Sequence, residues 1–113
     1  MATNYQRGRA FEYRTRNRLL KDGAVYVMRA AQSKGKADLI ALFPHEGATQ
    51  YTEYVRLPVV WIVQCKTGSA RMSKAEKQEF AELADATGSI AMLAEPGPNN
   101  RGVVFTPLQG GSQ

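Results

Sequence analysis

The chain has 113 residues, of which 43% are hydrophobic and 22% are charged. This length and composition suit one globular domain and argue against an intrinsically disordered chain. A single cysteine excludes an intramolecular disulfide and a cysteine-rich zinc site, and a single histidine excludes a histidine-rich one. We predict one domain over residues 1–108, a flexible tail over 109–113, and a cytoplasmic location.

Positive charge is concentrated in the first third of the chain. The formal net charge is +5, but residues 1–36 hold nine Lys and Arg against two acidic residues. The remaining residues hold six basic against eight acidic ones. Such a concentration of positive charge favours binding to a polyanion, and nucleic acid is the default candidate. The alternative is an arginine-rich helix that is simply solvated.

Apolar periodicity predicts a first helix over residues 5–22, which Gly23 ends. Its inner stripe recurs every four residues, at Phe11, Thr15 and Leu19. A second helix is predicted by the Ser73–Glu76 capping box and ends at Gly88. Its inner residues follow helical spacing and are Phe80, Leu83, Ala84 and Thr87.

Short β-rich segments predict five strands, over residues 24–29, 36–43, 58–66, 89–94 and 102–106. Residues 95–100, which include Pro96, are predicted to form the turn between the last two strands. The third of them is the most strongly β-like and is predicted to be central. The order is therefore helix, three strands, helix, two strands, which is an α/β fold with a mixed sheet flanked by helices. Residues 45–57 are longer than a hairpin needs, and their pattern assigns them no role.

The apolar third strand carries polar residues, which indicate a functional site. Because side chains alternate along a strand, Gln64 and Lys66 share one face, and Cys65 faces the other way as a small core residue. Burying an amide and an ammonium unpaired is costly. Asp38, on the preceding strand, is a candidate partner. If the two strands are neighbours, these three polar side chains converge.

Such a group suits a magnesium site. A carboxylate and an amide oxygen are ligands that Mg²⁺ accepts, and the bound metal activates water and stabilises charge on a phosphoryl oxygen. Lys66 would neutralise developing charge or orient the attacking water. Glu12 lies at the edge of the first helix's inner stripe and would supply another oxygen ligand.

Each of these residues also has a simpler interpretation. Glu12 has Arg16 four residues away, the spacing of an ordinary helical ion pair. Asp38 could be a strand-end acid paired with a nearby lysine, and Lys66 could mark the point where the strand enters solvent. Only the conjunction of an acid-bearing helix, a strand Asp and a strand Gln-x-Lys favours the metal site.

These residues resemble the PD-(D/E)xK nuclease superfamily, and within it the archaeal-type Holliday-junction resolvases. The resemblance rests on Gly8-x-x-x-Glu12, the turn 33–36 before Asp38, Gln64-Cys65-Lys66, and residues 72–74 at the entry to the second helix. It spans residues 7–108 and implies a restriction-endonuclease-like core. It also implies a homodimer that uses Mg²⁺, with Mn²⁺ as substitute, to nick two strands of a four-way or otherwise branched DNA junction symmetrically.

The resemblance also implies roles for individual residues. The catalytic set would be Glu12, Ser33, Asp38, Gln64 and Lys66. The metal ligands would be Glu12, Asp38 and Gln64, and Ser33 would place a hydroxyl near the scissile phosphate. Basic residues of the first helix, the turn before Asp38 and the start of the second helix would bind DNA phosphates; they are Arg7, Arg9, Arg14, Lys34, Lys36, Arg71 and Lys74.

One residue departs from the resolvase pattern. Gln64 stands where resolvases usually carry an acid, which keeps an oxygen ligand but removes one negative charge. The Gln-x-Lys form resembles Mrr-like restriction nucleases, so an endonuclease acting on linear duplex is an alternative. A DNA-binding module whose nuclease site has decayed is another. The small size, with no attached target-recognition domain, favours the structure-selective enzyme.

Overall fold

The computed structural model describes residues 4–30, 37–44 and 59–108, and the helices and strands within them follow the predicted order. Their bounds are α1 (Asn4–Lys21), β1 (Tyr26–Arg29), β2 (Leu39–Phe43), β3 (Val59–Cys65), α2 (Lys74–Thr87), β4 (Ile90–Pro96) and β5 (Val103–Leu108). Predictions that concern Ser33, Lys34, Lys36, residues 45–57 and the tail 109–113 lie outside the described residues.

The five strands form one mixed sheet in the order β1-β2-β3-β4-β5, with β3 at its centre as predicted. β1, β2 and β3 pair antiparallel, β3 and β4 pair parallel, and β4 and β5 pair antiparallel. A parallel pair needs a crossover connection, and α2 supplies it between β3 and β4. The predicted α/β class with a mixed, helix-flanked sheet is therefore confirmed.

α1 packs its predicted inner stripe against one face of the sheet. Phe11, Thr15 and Leu19 are all buried, and Phe11 and Leu19 belong to one core cluster with Val63 of β3 and Ala94 of β4. The buried hydroxyl of Thr15 donates to the Phe11 carbonyl oxygen at 2.8 Å, so it is satisfied within the helix. This packing leaves Glu12, one residue further along the helix than Phe11, at the rim of the buried stripe.

α2 begins and ends where its capping residues predict. The Ser73 Oγ accepts from the Glu76 amide at 3.1 Å, and the Glu76 carboxylate accepts from the Ser73 amide at 2.7 Å. Gly88 ends the helix in the left-handed region, at φ 70°, and its amide donates to the Ala84 carbonyl oxygen. These local hydrogen bonds explain why the sequence alone located both ends of the helix.

α2 covers the opposite face of the sheet from α1. Phe80 and Ala84 are buried there against Ile62 and Leu93. Thr87, predicted on the same stripe, is exposed instead, and its hydroxyl donates to carbonyl oxygens of its own helix at the C-terminal turn. Neither helix in the described part of the chain is long and apolar enough to cross a membrane.

β4 and β5 are longer than their sequences predict. Glu95 and Pro96, which a turn was predicted to contain, pair with Val104 and Val103 of β5, and the 3₁₀ turn is confined to Pro98–Asn100. Pro107 is tolerated in β5 because that strand lies at the edge of the sheet. The extension places Glu95 inside a strand, beside the end of β3.

Candidate active site

Asp38 lies at the start of β2, held between its two neighbouring strands. Its amide donates to the Val63 carbonyl oxygen at 2.8 Å, and its carbonyl oxygen accepts from the Ala30 amide at 2.9 Å. Because Leu39 pairs with Val63 in the antiparallel ladder, Asp38 stands level with Gln64. The two strands are therefore neighbours, which was the condition for their polar side chains to converge.

The Asp38 carboxylate is fixed by a hydrogen bond to the main chain of β3. Its Oδ2 accepts from the Cys65 amide at 2.7 Å. Partial burial raises the pKa of Asp38 above the ordinary aspartate value, and the negative charge of Glu12 adds to this rise. The Cys65 amide, Lys66 and Arg29 oppose it. The carboxylate is therefore oriented and partly desolvated, with an acid and two cations close enough to act on it.

Glu12, on α1, lies close enough to Asp38 to act on its charge, but its carboxylate is already paired with Arg29. Its Oε1 accepts from the Nε of Arg29, at the end of β1, at 2.9 Å. The side chain of Glu12 is 20% exposed and that of Arg29 is 40% exposed. The alternative interpretation of Glu12 was a helical pair with Arg16, but the guanidinium that Glu12 binds comes from a strand instead. Asp38, Glu12, Arg29 and Lys66 together carry no net charge.

Gln64 is buried, with 7% of its surface exposed, on the central strand. Its Oε1 is fully buried and has no hydrogen-bond partner among the described residues. Leaving a buried carbonyl oxygen unpaired costs about 1–3 kcal/mol, so such an atom calls for an explanation. A metal ion beside Asp38 would accept this oxygen as a ligand, and the residues present therefore fit the predicted Mg²⁺ in donor chemistry.

Cys65, the last residue of β3, lies between Gln64 and Lys66 and packs against the core beneath α1, as predicted. Burial raises the pKa of its thiol to about 12, and the neighbouring Asp38 charge contributes to the rise. A thiol with so high a pKa is not a nucleophile at neutral pH. Its amide, rather than its side chain, contributes to the site through the hydrogen bond to Asp38.

Lys66 follows β3 directly and lies in the middle of a surface groove. Two adjoining clefts, of about 620 Å³ and 460 Å³, share Arg7, Lys66, Thr67 and Gly68 and so form one continuous depression, which we call the Lys66 groove. Beyond these shared residues its walls consist of Gly8, Cys65, Ser69, Ala70, Arg71, Glu95, Pro96, Gly97, Pro98, Asn100 and Val104. The groove is cationic, because two arginines and Lys66 oppose one carboxylate.

That carboxylate, Glu95, is a site residue that the sequence interpretation missed. Cys65 pairs with Ala94 in the parallel ladder, and the Lys66 amide donates to the Ala94 carbonyl oxygen at 3.0 Å. Glu95, within β4, therefore lies beside Lys66, which directly follows β3. An acid placed directly after an apolar strand was the available signal, but Pro96 suggested a turn instead.

Arg7 and Arg71, two of the predicted DNA-binding residues, line the Lys66 groove. The Arg71 guanidinium donates to the carbonyl oxygens of Gly68 and Ala70, at 3.0 and 2.8 Å, which holds it over the loop after β3. Lys74 is exposed at the start of α2. The structure therefore brings two of these cations to the groove and leaves Lys74 on the adjoining surface.

Arg9 and Arg14 lie elsewhere on α1. Arg9 lines a small pocket beside Glu12, away from the Lys66 groove. The Arg14 guanidinium lies 5.0 Å from the centre of the Phe11 ring and donates to the Asn100 Oδ1 at 3.4 Å. Arg14 thus links α1 to the turn between β4 and β5, in addition to its predicted contact with DNA.

The described residues contain no group of three or more His, Cys, Asp and Glu side chains that could hold a metal ion. Of the described ligand candidates, Glu12 and Asp38 supply carboxylates and Gln64 supplies an amide oxygen. A metal at this site would therefore depend on two acids and one neutral ligand. Ser33, which the resemblance places near the scissile phosphate, lies outside the described residues.

The fold is similar to that of a known DNA-processing protein. The 1.6 Å structure of Hjc, a Holliday junction resolvase from the archaeal hyperthermophile Archaeoglobus fulgidus, superposes with a TM-score of 0.63 at 20% sequence identity. The match covers 90% of this chain and 73% of that one. No family model and no curated protein sequence matches the chain. The expected likeness to the archaeal resolvases is therefore confirmed in the fold, which is restriction-endonuclease-like.

Proposed function

We propose that this protein is a Mg²⁺-dependent DNA endonuclease that resolves four-way junctions by paired symmetric nicks. The observation that carries the proposal is the Asp38 carboxylate, oriented by the Cys65 amide and within electrostatic reach of Glu12 and Lys66. Lys66 in turn lines a cationic groove. The fold shared with an archaeal Holliday junction resolvase supports the same class of substrate.

Asp38, Glu12 and the Gln64 amide oxygen would hold the metal ion, which would lower the pKa of a bound water and stabilise charge on the phosphoryl group. The Cys65 amide keeps the Asp38 carboxylate in one orientation, so the ligand is already placed before DNA arrives. Lys66 would donate to a non-bridging oxygen of the scissile phosphate and neutralise the charge that develops there. Ser33 would add a hydroxyl near that phosphate.

The Lys66 groove would hold the strand that is cut. Arg7 and Arg71 line it together with Lys66, so phosphates on either side of the scissile one would meet cations. Contacts of this kind fix the position of a strand without reading its sequence, as structure-selective cutting requires. Arg9, Arg14 and Lys74, with Lys34 and Lys36, would extend the positive surface to further phosphates.

One chain provides one such site, whereas symmetric resolution cuts two strands. We therefore infer that the active form is a homodimer whose two-fold axis relates two active sites, since a closed symmetric pair presents two equivalent strands to two equivalent sites.

Gln64 favours a second candidate. The Gln-x-Lys form resembles that of Mrr-like nucleases, and an enzyme of that kind would cut linear duplex rather than junctions. The buried amide oxygen serves as a metal ligand equally well in both candidates. They differ only in the DNA that the basic surface accepts.

The test is cleavage of four labelled substrates with Mg²⁺: a four-way junction, a matched linear duplex, a nicked duplex and single strands. Paired symmetric nicks on the junction alone are expected for the resolvase. Equal cutting of linear duplex would establish the Mrr-like alternative. Binding of DNA without cleavage under either Mg²⁺ or Mn²⁺ would identify a decayed nuclease and overturn the proposal.

Gln64→Glu should lower the Mg²⁺ concentration at which cleavage is half-maximal, on the order of tenfold, because a carboxylate binds a dication more strongly than an amide does. Without metal the same variant should melt at a lower temperature than the wild type, since a buried unpaired charge replaces a neutral group. Mg²⁺ titration of cleavage and of the melting temperature measures both effects. An unchanged Mg²⁺ requirement would remove Gln64 from the ligand set. Gln78→Glu, on the exposed face of α2, is the control for the Mg²⁺ requirement alone, because it also replaces an amide that donates to Glu82 by a like charge.

A further inference from the structure

We propose that Arg29 is an internal counter-ion of the acidic pair, displaced from Glu12 when a DNA phosphate binds beside it, so that DNA binding and metal binding assist each other. The proposal rests on the proposed function, since it assigns Glu12 to the metal site. Its new element is the role of Arg29 and of the small arginine-lined pocket around it.

The ion pair occupies the carboxylate that a metal would need. Arg29 Nε donates to Glu12 Oε1 at 2.9 Å, in the geometry of a strong, charge-assisted hydrogen bond. Arg29 comes from β1, at the edge of the sheet, and its side chain is 40% exposed. A guanidinium so accessible is able to exchange one anionic partner for another.

The charge balance explains why the pair opposes metal binding. Asp38 and Glu12 raise one another's energy as neighbouring negative charges, and Arg29 and Lys66 offset that repulsion. With both cations in place the cluster is neutral, so it exerts little attraction on a divalent cation. Moving Arg29 away from Glu12 leaves one uncompensated negative charge for the metal.

A receiving site for a phosphate lies on the outer side of the ion pair. A surface pocket of about 50 Å³ lies among side chains of α1 and the end of β1, and most of its wall is apolar; the lining residues are Arg9, Glu12, Tyr13, Arg16, Arg29 and Leu39. The three arginines and one glutamate that line it carry a formal net charge of +2. A phosphodiester bound there would form bidentate contacts with arginine and compete with Glu12 for Arg29.

Coupling follows from this competition. If the phosphate binds Arg29 in place of Glu12, the Glu12 carboxylate becomes available to the metal. DNA binding then increases the affinity for the metal. Because linkage is reciprocal, the metal then tightens DNA binding by the same factor, and couplings of this kind are typically about 5–150-fold. A nuclease so built would hold its metal firmly only when a strand is in place.

The experiment measures Mn²⁺ affinity by isothermal titration calorimetry, with and without a four-way junction whose phosphorothioate linkages resist hydrolysis. The test variant is Arg29→Met, and the matched control is Arg18→Met. The control breaks the ion pair between Arg18 and Asp22, which has the same length of 2.9 Å and lies at the far end of α1. For the wild type and the control, the junction should tighten Mn²⁺ binding on the order of tenfold. Arg29→Met should bind Mn²⁺ on the order of tenfold more tightly without DNA and gain less than twofold from the junction.

Two results would overturn the inference: Arg29→Met binding free Mn²⁺ no better than the wild type, or keeping the full gain from the junction. Arg29→Gln, with thermal melting of each variant, separates these results from a folding defect. If the wild type cleaves DNA normally while coupling is unchanged in Arg29→Met, the inference about Arg29 alone fails. If no form binds Mn²⁺ and no substrate is cut, the proposed function fails as well.

Discussion

Asp38→Asn should reduce the rate of DNA cleavage on the order of a thousandfold or more. Of the two carboxylates in the proposed ligand set, Glu12 is paired with Arg29, whereas Asp38 has no cationic hydrogen-bond partner in the described residues. The substitution therefore removes the charged ligand that is available to the metal. The substituted amide oxygen can still accept from the Cys65 amide, so the strand geometry should survive. Single-turnover cleavage of a four-way junction measures the rate, and fluorescence anisotropy should show junction binding within a few-fold of the wild type. Residual cleavage near the wild-type rate would remove Asp38 from the active site.

The same substitution should stabilise the fold at neutral pH. Burial raises the pKa of Asp38, so the folded chain holds this proton more tightly than the unfolded chain does. The stability linked to the protonated carboxyl is fully present below the unfolded-state pKa and is lost as the pH rises through the folded-state pKa. Asp38→Asn should therefore melt at a higher temperature than the wild type at neutral pH, and the difference should shrink on acidification. Asp85→Asn, on the exposed surface of α2, is the control, and a lower melting temperature for Asp38→Asn would assign the carboxylate a structural role.

Lys66→Met should reduce the cleavage rate about 10²- to 10³-fold, the loss typical of removing one electrostatic stabiliser of a transition state. Methionine keeps the apolar stem and removes only the ammonium, and Lys66 follows β3 without being part of its hydrophobic core. Junction affinity should fall only modestly, because Arg7 and Arg71 remain in the Lys66 groove. Single-turnover rates and binding constants separate the two effects.

The matched control is Lys77→Met, which removes an ammonium from the exposed face of α2 outside the groove. It should cleave at close to the wild-type rate. Equal losses in Lys66→Met and Lys77→Met would mean that general positive charge, rather than an ammonium beside the scissile phosphate, drives cleavage. A Lys66→Met enzyme that binds poorly but cuts at the wild-type rate once saturated would make Lys66 a binding residue.

The features that the sequence predicted well are those that neighbouring residues specify. The stripe of Phe11, Thr15 and Leu19 follows from helical spacing, and the ends of α2 follow from the Ser73 capping box and Gly88. The strongly β-like segment 58–66 identified β3 as central. Each signal lies within a few residues of what it predicts, so no tertiary contact was needed to recognise it.

Most of the predictions that failed depend on contacts between elements. Pro96 suggested a turn, yet pairing with β5 carries β4 through it, since a strand continues as long as its partner offers hydrogen bonds. Thr87 has the spacing of a buried residue but bonds to its own helix. Glu95 became a neighbour of Lys66 only through the parallel register of β3 and β4.

The features of the candidate site also separate into those that the sequence specifies and those that depend on tertiary contacts. The sequence by itself determined the chemical types present: a strand aspartate, a Gln-x-Lys pair on one face, a glutamate at the rim of a helix, and a basic first third. Only the tertiary structure decided their partners, because these join residues far apart in the chain. Asp38 binds the amide of Cys65, Glu12 binds Arg29 rather than Arg16, and the Gln64 oxygen is buried without a partner. Partner choice depends on strand register and on the path of the chain, and a one-residue shift in either would have produced a different set of contacts from the same sequence.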